Sequence, residues 1–382
     1  MNDIEKLHMT EYGSAPDTIV NVPQPATLLG AFSEYVNGYS LMCAIPDGII
    51  LSASLRDDNS VRMYNAAKQD KKKFLLSSIK YRREDKWANA VKATVLAFQS
   101  AGYKLRGMNI VISGSAYAGG DVMNAMIFAG LSMLINELYG LGLQYEELFM
   151  LSRKSDDFSS ACKAKERDLI TIFESEEDSL LFFDLDNKEH TKLSGFSSFC
   201  SDGYILDSSI PSSVMIPLLD EFRSDIVPIF ASFRQAFPKD KSLLTLSEKE
   251  VRMYSGRLPE LDRHYIEYII EESNIAKRGY ELFKGGNLKE FGHLLSLQQR
   301  NLTNKAELTS PETDWLVKRA QEIPDVLGIA QISLGKPGVM LVLIESESEV
   351  EYTSRLEEYD RIFGFQAVLR RFAPCGSIRK IS

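Results

Sequence analysis

In the first half of the chain, apolar residues form short runs between turn signals, a pattern typical of strands. Residues 39–45 and 48–55 are rich in β-branched and apolar side chains and predict two strands. Residues 87–100 instead have apolar positions at helical spacing and end at an Ala-Gly pair, which predicts a helix and its stop. A predicted strand at 109–113 precedes a long apolar helix from residue 122. We therefore expect a mixed sheet with helices.

The segment 169–185 contains two apolar runs on either side of the acidic stretch Glu-Ser-Glu-Glu-Asp-Ser. Short apolar runs separated by a polar loop are typical of a β-hairpin, so the pattern predicts a hairpin with an acidic loop. Just before it, Arg167 and Asp168 are adjacent. In an extended segment, adjacent side chains are expected to point to opposite faces.

From residue 212 onward the spacing of apolar residues is mostly helical, with stop signals at the helix ends. The predicted helices are 214–236, 259–285, 288–303 and 311–322. Two predicted strands close this part of the chain, at 327–334 and 339–345. They are joined by Gly-Lys-Pro-Gly, a tight-turn composition.

The length of 382 residues is too great for one ordinary core, so we expect two. The chain turns polar and small between residues 187 and 205, which predicts the boundary there. We accordingly predict an α+β fold. Its N-terminal domain, over 1–195, combines a mixed sheet with helices, and its C-terminal domain, over 196–382, is richer in helices.

Composition and charge limit the classes of partner that this protein is expected to bind. With a formal net charge of −9 and no cationic cluster beyond one run of three lysines, nucleic-acid binding is not expected. No apolar run reaches the roughly 18–20 residues of a membrane span, and we see no export signal. We therefore expect a cytoplasmic protein without a membrane partner. The oligomeric state stays open, with a monomer favoured.

The four cysteines and four histidines do not indicate a metal site. The cysteines are scattered without pair spacing, which indicates reduced thiols rather than disulfides. None of the histidines has the spacing of a metal ligand to another histidine or to a cysteine. We therefore predict no metal-binding residues.

The turn after the predicted strand at 109–113 has the layout of a phosphate cradle. It reads Gly-Ser-Ala-Tyr-Ala-Gly-Gly-Asp over residues 114–121 and leads into the long apolar helix. Unpaired backbone N–H groups and the positive end of the helix dipole would favour an anion there. The carboxylate of Asp121 opposes part of that field. The turn is either an anion site or a tight connection.

Five stretches in collinear order resemble the motifs of the GHMP small-molecule kinases, and of galactokinases most of all. Residues 22–39 resemble the signature APGRVNLIGEHTDYNGGF. The residues in register are Pro23, Leu28, Gly30, Tyr35 and Gly38. Residues 87–107 resemble the run before the phosphate loop GAGLSSSAAL, which corresponds to 114–123. The later matches are 166–185 to the MDQ segment, 287–317 to the GDL and CPELD segments, and 328–344 to the motif MTGAGFGGC.

This resemblance implies a two-domain GHMP-kinase-like fold with the site in a cleft between the domains, and ATP, Mg²⁺ and a sugar as ligands. It implies that Asp168 orients or deprotonates the sugar hydroxyl that attacks the γ-phosphate. The residues implied to bind nucleotide are Gly114, Ser115, Tyr117, Gly119 and Gly120. Those implied to bind the sugar are Glu34, Tyr35, Gly38 and Asp168.

Several family residues are replaced where the chemistry is done. The replacements are Pro25 for the arginine of the first signature, Ala31-Phe32 for the sugar-binding Glu-His pair, and Ala118, Gly119 and Gly120 for three serines. In the third motif Pro337 removes an N–H donor, which Lys336 could offset. Two hypotheses stay open. In the first, the chain is an ATP-dependent kinase for galactose or a related hexose, with weak or lost activity. In the second, it is a noncatalytic relative that binds a ligand or has a regulatory role.

Overall fold

A computed structural model describes residues 3–114, 119–200, 202–236, 242–256, 258–344 and 348–381. The helices are α1 (Asp3–Tyr12), α2 (Ala88–Ser100), α3 (Gly120–Tyr139), α4 (Tyr145–Lys154), α5 (Glu166–Glu174), α6 (Phe196–Phe199), α7 (Ser212–Ala236), α8 (Glu248–Ser255), α9 (Glu260–Lys284), α10 (Leu288–Asn301), α11 (Pro311–Gln321) and α12 (Glu349–Phe363). The strands are β1 (Thr18–Leu29), β2 (Tyr39–Leu55), β3 (Ser60–Asn65), β4 (Asp70–Leu75), β5 (Met108–Gly114), β6 (Ser179–Asp184), β7 (Glu189–Ser194), β8 (Gly203–Asp207), β9 (Val326–Gln331), β10 (Val339–Ile344), β11 (Val368–Arg371) and β12 (Arg379–Lys380). The predicted α+β class is confirmed.

The chain forms two compact units, and neither is continuous in sequence. The first contains described residues from 1–25, 44–177 and 374–382, and the second contains those from 26–43 and 178–373. This division differs from the predicted domains 1–195 and 196–382. Strand β1 begins in the first unit and ends in the second, whereas β2 begins in the second unit and ends in the first. The segment that joins the two strands therefore belongs to the second unit. Local composition does not reveal such long-range pairing.

The sheet of the first unit has the strand order β12-β1-β2-β5-β3-β4. Strand β5 is antiparallel to β2, with Leu51 opposite Ile112, and parallel to β3. Side chains alternate between its faces. Ile110 and Ile112 enter a large core with α2 and α3, whereas Val111 joins a small cluster with residues of α1 and β1. Burial on both faces explains the continuous apolar run that predicted this strand.

Helix α3 is the central helix of the first unit's core. It is the one helix among the described residues long and apolar enough to cross a membrane by length and composition. Most of it is buried within the protein, with Ala125, Phe128 and Leu131 fully covered. A Cβ on Gly130 would lie 2.6 Å from the Val22 side chain, so the helix sits directly on the sheet. Its apolar length serves packing in this core.

Helix α1 covers the other face of the first unit's sheet and carries a buried histidine. The His8 ring lies 2.9 Å from Ser52 Oγ through Nδ1 and 3.0 Å from Ser54 Oγ through Nε2. The two serines are two residues apart on β2 and therefore share a face. Burial lowers the pKa of His8 to about 4, and the charge of Asp17 opposes this shift more weakly. His8 is therefore neutral near pH 7.

We expect His8 to make the first unit sensitive to acid. Its folded pKa of about 4 lies below the ordinary 6.5, so the unfolded chain binds the proton more tightly. The stabilisation is complete above pH 6.5 and is lost as the pH falls towards 4. The wild type should lose about 2 kcal/mol more than His8→Gln between pH 7 and pH 5. Urea unfolding followed by Trp87 fluorescence, in a Trp315→Phe background, measures this difference.

The control for this experiment is His293→Gln, because His293 lies on the exposed face of α10 in the second unit. That variant should keep the pH dependence of the wild type. Equal pH slopes for the wild type and His8→Gln would show that His8 does not carry the acid sensitivity.

The second unit contains a four-stranded sheet with the order β11-β8-β10-β9, in which every pair is antiparallel. Helices α11 and α12 pack on it through a core that includes Leu316, Tyr352 and Tyr359. Helix α10 lies so close to β9 that a Cβ on Gly328 would come within 2.0 Å of the Gly292 carbonyl oxygen. The hairpin of β6 and β7 pairs with residues 39–42 at the start of β2.

Most of the long predicted elements are confirmed. The predicted helices correspond to α2, α3, α7, α9, α10 and α11, and the predicted closing strands correspond to β9 and β10. The two predicted strands at 39–45 and 48–55 form one continuous strand, β2.

The predicted hairpin over 169–185 is wrong. Residues Glu166–Glu174 form helix α5, and the second apolar run is β6, which pairs with β7. The buried residues Leu169, Ile172 and Phe173 have the spacing of one helical face. That spacing was present in the sequence but was hidden by the short length of the run.

Candidate functional site

The glycine-rich turn lies where the sequence predicted it, between a strand and a long helix. Strand β5 ends at Gly114, and α3 begins at Gly120 after Gly119 as its N-cap. Gly114 has a φ of 98°, and a Cβ there would lie 2.6 Å from the Gly48 carbonyl oxygen, so only glycine fits. Ser115 and Tyr117 lie outside the described residues. Gly114, Gly119 and Gly120 stay predictions as nucleotide-binding residues.

The start of α3 suits a phosphate group in part. Gly120 has a φ of 52°, and a Cβ on it would meet none of the described residues within 4 Å. A helix of 20 residues presents free N–H groups and a positive dipole end at this point. The acidic Asp121 lies in the first turn, and the N-cap residue, Gly119, has no side chain to cap the helix. The backbone therefore favours an anion while the nearest side chain opposes it.

Asp168 lies in the first turn of α5, where a carboxylate is stabilised by the helix dipole. Its side chain is buried, with 3% relative exposure, and its N–H donates to the Lys165 carbonyl oxygen at 3.0 Å. The expectation that Arg167 points to the opposite face was based on an extended segment and is wrong. In a helix successive side chains differ by about 100°, and Arg167 is buried as well.

A cavity of about 600 Å³ opens beside the first turn of α5. Glu166 and Leu169 line it from one face of α5, and Asp168 is not part of this lining. The Arg153 guanidinium lies 3.2 Å from the Glu166 carboxylate across this region. The other charged residues of the lining are Lys154, Asp156 and Asp157. A lining with charges of both signs suits a polar ligand better than an apolar one.

The predicted sugar-binding residues lie in the second unit, in the segment 30–39, which we call the signature segment. A short 3₁₀ helix, Ser33–Val36, carries Glu34 and Tyr35, which are half-buried. The Tyr35 carbonyl oxygen accepts a hydrogen bond from Arg234 of α7 at 2.7 Å. Gly38 is packed so tightly that a Cβ would lie 2.1 Å from Ser273 Oγ. The signature segment is therefore held against α7 and α9.

Phe32, at the position where the galactokinase signature has histidine, is part of the second unit's core. Phe32 is buried, and its ring lies 5.0 Å from that of Phe222 and 6.1 Å from that of Tyr268. Leu219 packs against the same cluster. Because Phe32 is enclosed by apolar and aromatic neighbours, the position offers a sugar no hydrogen bond from its side chain.

Lys336, in the loop of the third motif, is bound within the second unit. Its ammonium lies 2.9 Å from both carboxylate oxygens of Asp207, at the end of β8, and both side chains are largely buried. The next glycine, Gly338, has a φ of 80° that supports the tight turn. We expected Lys336 to offset the N–H donor that is missing at Pro337. In the structure, however, the positive charge of Lys336 is already paired with the Asp207 carboxylate.

The predicted site residues are divided between the units. Gly114, Gly119, Gly120 and Asp168 lie in the first unit, whereas Glu34, Tyr35 and Gly38 lie in the second. Among the described residues no group of three or more His, Cys, Asp and Glu side chains could hold a metal ion. All four cysteines lie within the described ranges and are free thiols.

Sequence reasoning missed two polar residues of α9, Glu272 and Ser273, which hold the signature segment. Both are buried. They occupy the same helical stripe as Tyr265, Ile266 and Ile269, which pack into the second unit's core. A charged residue within an apolar stripe is the signal that would have identified Glu272.

Comparison with known sequences finds relatives that match nearly the whole chain. A protein of Treponema pallidum, provisionally named a galactokinase, is 26% identical over 379 residues, which cover 96% of this chain and 93% of that protein. A galactokinase of Roseiflexus is 23% identical over 348 residues, which cover 91% of this chain and 88% of that enzyme. No family model matches the chain.

Comparison with solved structures finds the same fold. The crystal structure of Lactococcus lactis galactokinase complexed with galactose matches with a TM-score of 0.84 at 21% identity, covering 99% of both chains. The mevalonate kinase of Methanococcus jannaschii matches with a TM-score of 0.61 at 16% identity, covering 93% of this chain and 98% of that one. The resemblance in sequence motifs is thus accompanied by a resemblance in architecture.

Proposed function

Because the chain is a divergent member of the GHMP kinase superfamily, related to galactokinases over nearly its whole length, we propose that it is an ATP-dependent sugar kinase of low activity. The observation that carries the proposal is the retained Asp168, buried in the first turn of α5. In the reaction a sugar hydroxyl oxygen attacks the γ-phosphorus, Asp168 accepts the hydroxyl proton, and ADP leaves.

The start of α3 is the proposed site of the nucleotide phosphates. The N–H groups and the positive dipole end at the start of this 20-residue helix support this assignment. With Ala118, Gly119 and Gly120 in place of serines, the loop has no hydroxyl at these positions for Mg²⁺. Mg²⁺ would therefore enter with the nucleotide and neutralise the charge on its phosphates. We therefore expect a lower affinity for ATP.

The proposed sugar is galactose or a related hexose bound through Glu34, Tyr35 and Gly38. The position of the family's Glu-His pair is apolar here, and Phe32 belongs to the core. A site that loses hydrogen bonds to particular hydroxyls loses discrimination between hexoses that differ in them. We therefore expect a broader or altered hexose preference, with a sugar and a nucleotide as the partners.

The test is a ligand-binding titration followed by an assay. ATP with Mg²⁺ should raise the melting temperature at millimolar concentration, and a hexose should raise it further, because ligands that bind the folded state stabilise it. ADP release should then depend on the same hexose. The absence of any shift with ATP up to millimolar concentration would overturn the kinase proposal.

The alternative is a noncatalytic relative that binds a ligand or regulates a partner. Two observations favour it, the acidic Asp121 in the first turn of α3 and the pairing of Lys336 with Asp207. Both reduce the positive charge available to phosphates. The alternative predicts a thermal shift with a hexose, no shift with ATP, and no ADP release in the same titration.

A further inference from the structure

Helix α9 contacts the signature segment at both of its ends. Glu272 accepts a hydrogen bond from the Ala31 N–H, and Ser273 Oγ accepts one from the Tyr39 N–H at 2.9 Å. A Cβ on Gly30 would lie 3.1 Å from the Ala276 side chain. These contacts come from one face of a single helix. The segment that carries Glu34 and Tyr35 is therefore bound at both of its ends to one helix, α9.

Glu272 is an unusual residue for such a contact. Its side chain is buried, with 1% relative exposure, and its Oε1 atom has no hydrogen-bond partner among the described residues. Tyr268 and Glu271 are the titratable neighbours with which it interacts. Burying a carboxylate with so few donors disfavours its charged form.

The charge state of Glu272 follows from this environment. Burial raises its pKa to about 8, while the Ala31 N–H lowers it and Glu271 raises it by smaller amounts. The carboxyl group is therefore mostly protonated at pH 7, where one of its oxygens acts as a neutral acceptor for Ala31. Glutamine has the same shape and the same acceptor, which makes it a close substitute.

We propose that Glu272 is a positioning residue, which holds the Ala31 end of the signature segment so that Glu34 and Tyr35 meet the sugar in a fixed arrangement. The proposal rests on the proposed sugar-kinase function for its catalytic consequence. The contact itself is independent of activity. It gives a structural role to a carboxyl group inside the largely apolar stripe of α9.

The first experiment measures backbone hydrogen exchange of the free protein in peptides that cover residues 28–42. Glu272→Leu leaves the Ala31 N–H without its acceptor, so exchange at the Ala31 end should become about tenfold faster. Glu272→Gln should restore the wild-type rate. Ser273→Ala should speed exchange at the Tyr39 end and provides a second probe if Glu272→Leu does not fold. Glu281→Gln, which changes an exposed carboxylate of the same helix, is the matched control and should leave this segment unchanged.

The second experiment measures sugar and ATP kinetics of the same variants. Glu272→Leu should raise the sugar KM about tenfold, leave the ATP KM unchanged, and be rescued by Glu272→Gln. Unchanged exchange at the Ala31 end in Glu272→Leu would overturn the proposal whatever the activity, and if that variant does not fold, unchanged exchange in Ser273→Ala would do so. Faster exchange in a protein without ADP release would keep the contact and reject the kinase function, so the two failures are distinguishable. Faster exchange with an unchanged sugar KM would show that the contact is structural only.

Discussion

The Asp168→Asn variant should lose turnover by about 10²–10⁴-fold relative to the wild type, because an amide cannot accept the proton of the attacking hydroxyl. Asparagine has nearly the same volume and can still accept hydrogen bonds through one oxygen, so the first turn of α5 should stay folded. The loss should appear in kcat, with little change in the ATP KM, since Asp168 acts on the sugar hydroxyl. Steady-state ADP release with the preferred hexose measures it.

The matched control is Glu166→Gln, two residues earlier in the same helical turn. Glu166 is half-exposed and paired with Arg153, so its replacement removes a carboxylate from the cavity lining without touching the proposed base. Turnover should change by less than about threefold, the scale of a surface ion pair. If Asp168→Asn retains wild-type turnover, Asp168 is not the base and the observed ADP release has another origin.

Sequence reasoning located the elements that carry the candidate site because their patterns are local. The strand β5, the glycine turn and α3 are marked by an apolar run, by glycines and by a second, longer apolar run. Long amphipathic helices such as α9 follow from periodicity alone. The helix α5 was missed because nine residues with few apolar positions do not distinguish a helix from a strand by pattern.

The contacts that hold the site together could not be predicted in the same way. The bonds from Glu272 to Ala31 and from Lys336 to Asp207 join residues more than a hundred positions apart, and neither leaves a local signal. The discontinuous units have the same cause, since the segment 26–43 joins the second unit through pairing and packing with residues beyond 178. What distinguishes Glu272, Lys336 and Asp207 from other charged residues is that their side chains are largely buried, and burial is seen only in the structure.

Replacing Lys336 by Met should destabilise the second unit by about 3–5 kcal/mol, the cost of leaving one partner of a buried ion pair without its countercharge. Asp207 would remain as a largely buried carboxylate, with the Ser209 N–H as a donor at 2.9 Å. Trp315 lies in the second unit, so urea unfolding followed by its fluorescence in a Trp87→Phe background reports on that unit.

The double variant Lys336→Met, Asp207→Asn separates the two roles that Lys336 could have. The asparagine removes the buried charge and keeps the oxygen that accepts from Ser209, so the double variant should recover most of the lost stability. If Lys336 acts on the nucleotide instead, Lys336→Met should have the same free energy of unfolding as the wild type and a raised ATP KM. Adding Asp207→Asn should then leave the ATP KM raised. A large loss of stability that Asp207→Asn reverses, with the ATP KM unchanged, would show that Lys336 holds the third-motif loop rather than a phosphate. The nucleotide would then rely on the backbone at the start of α3.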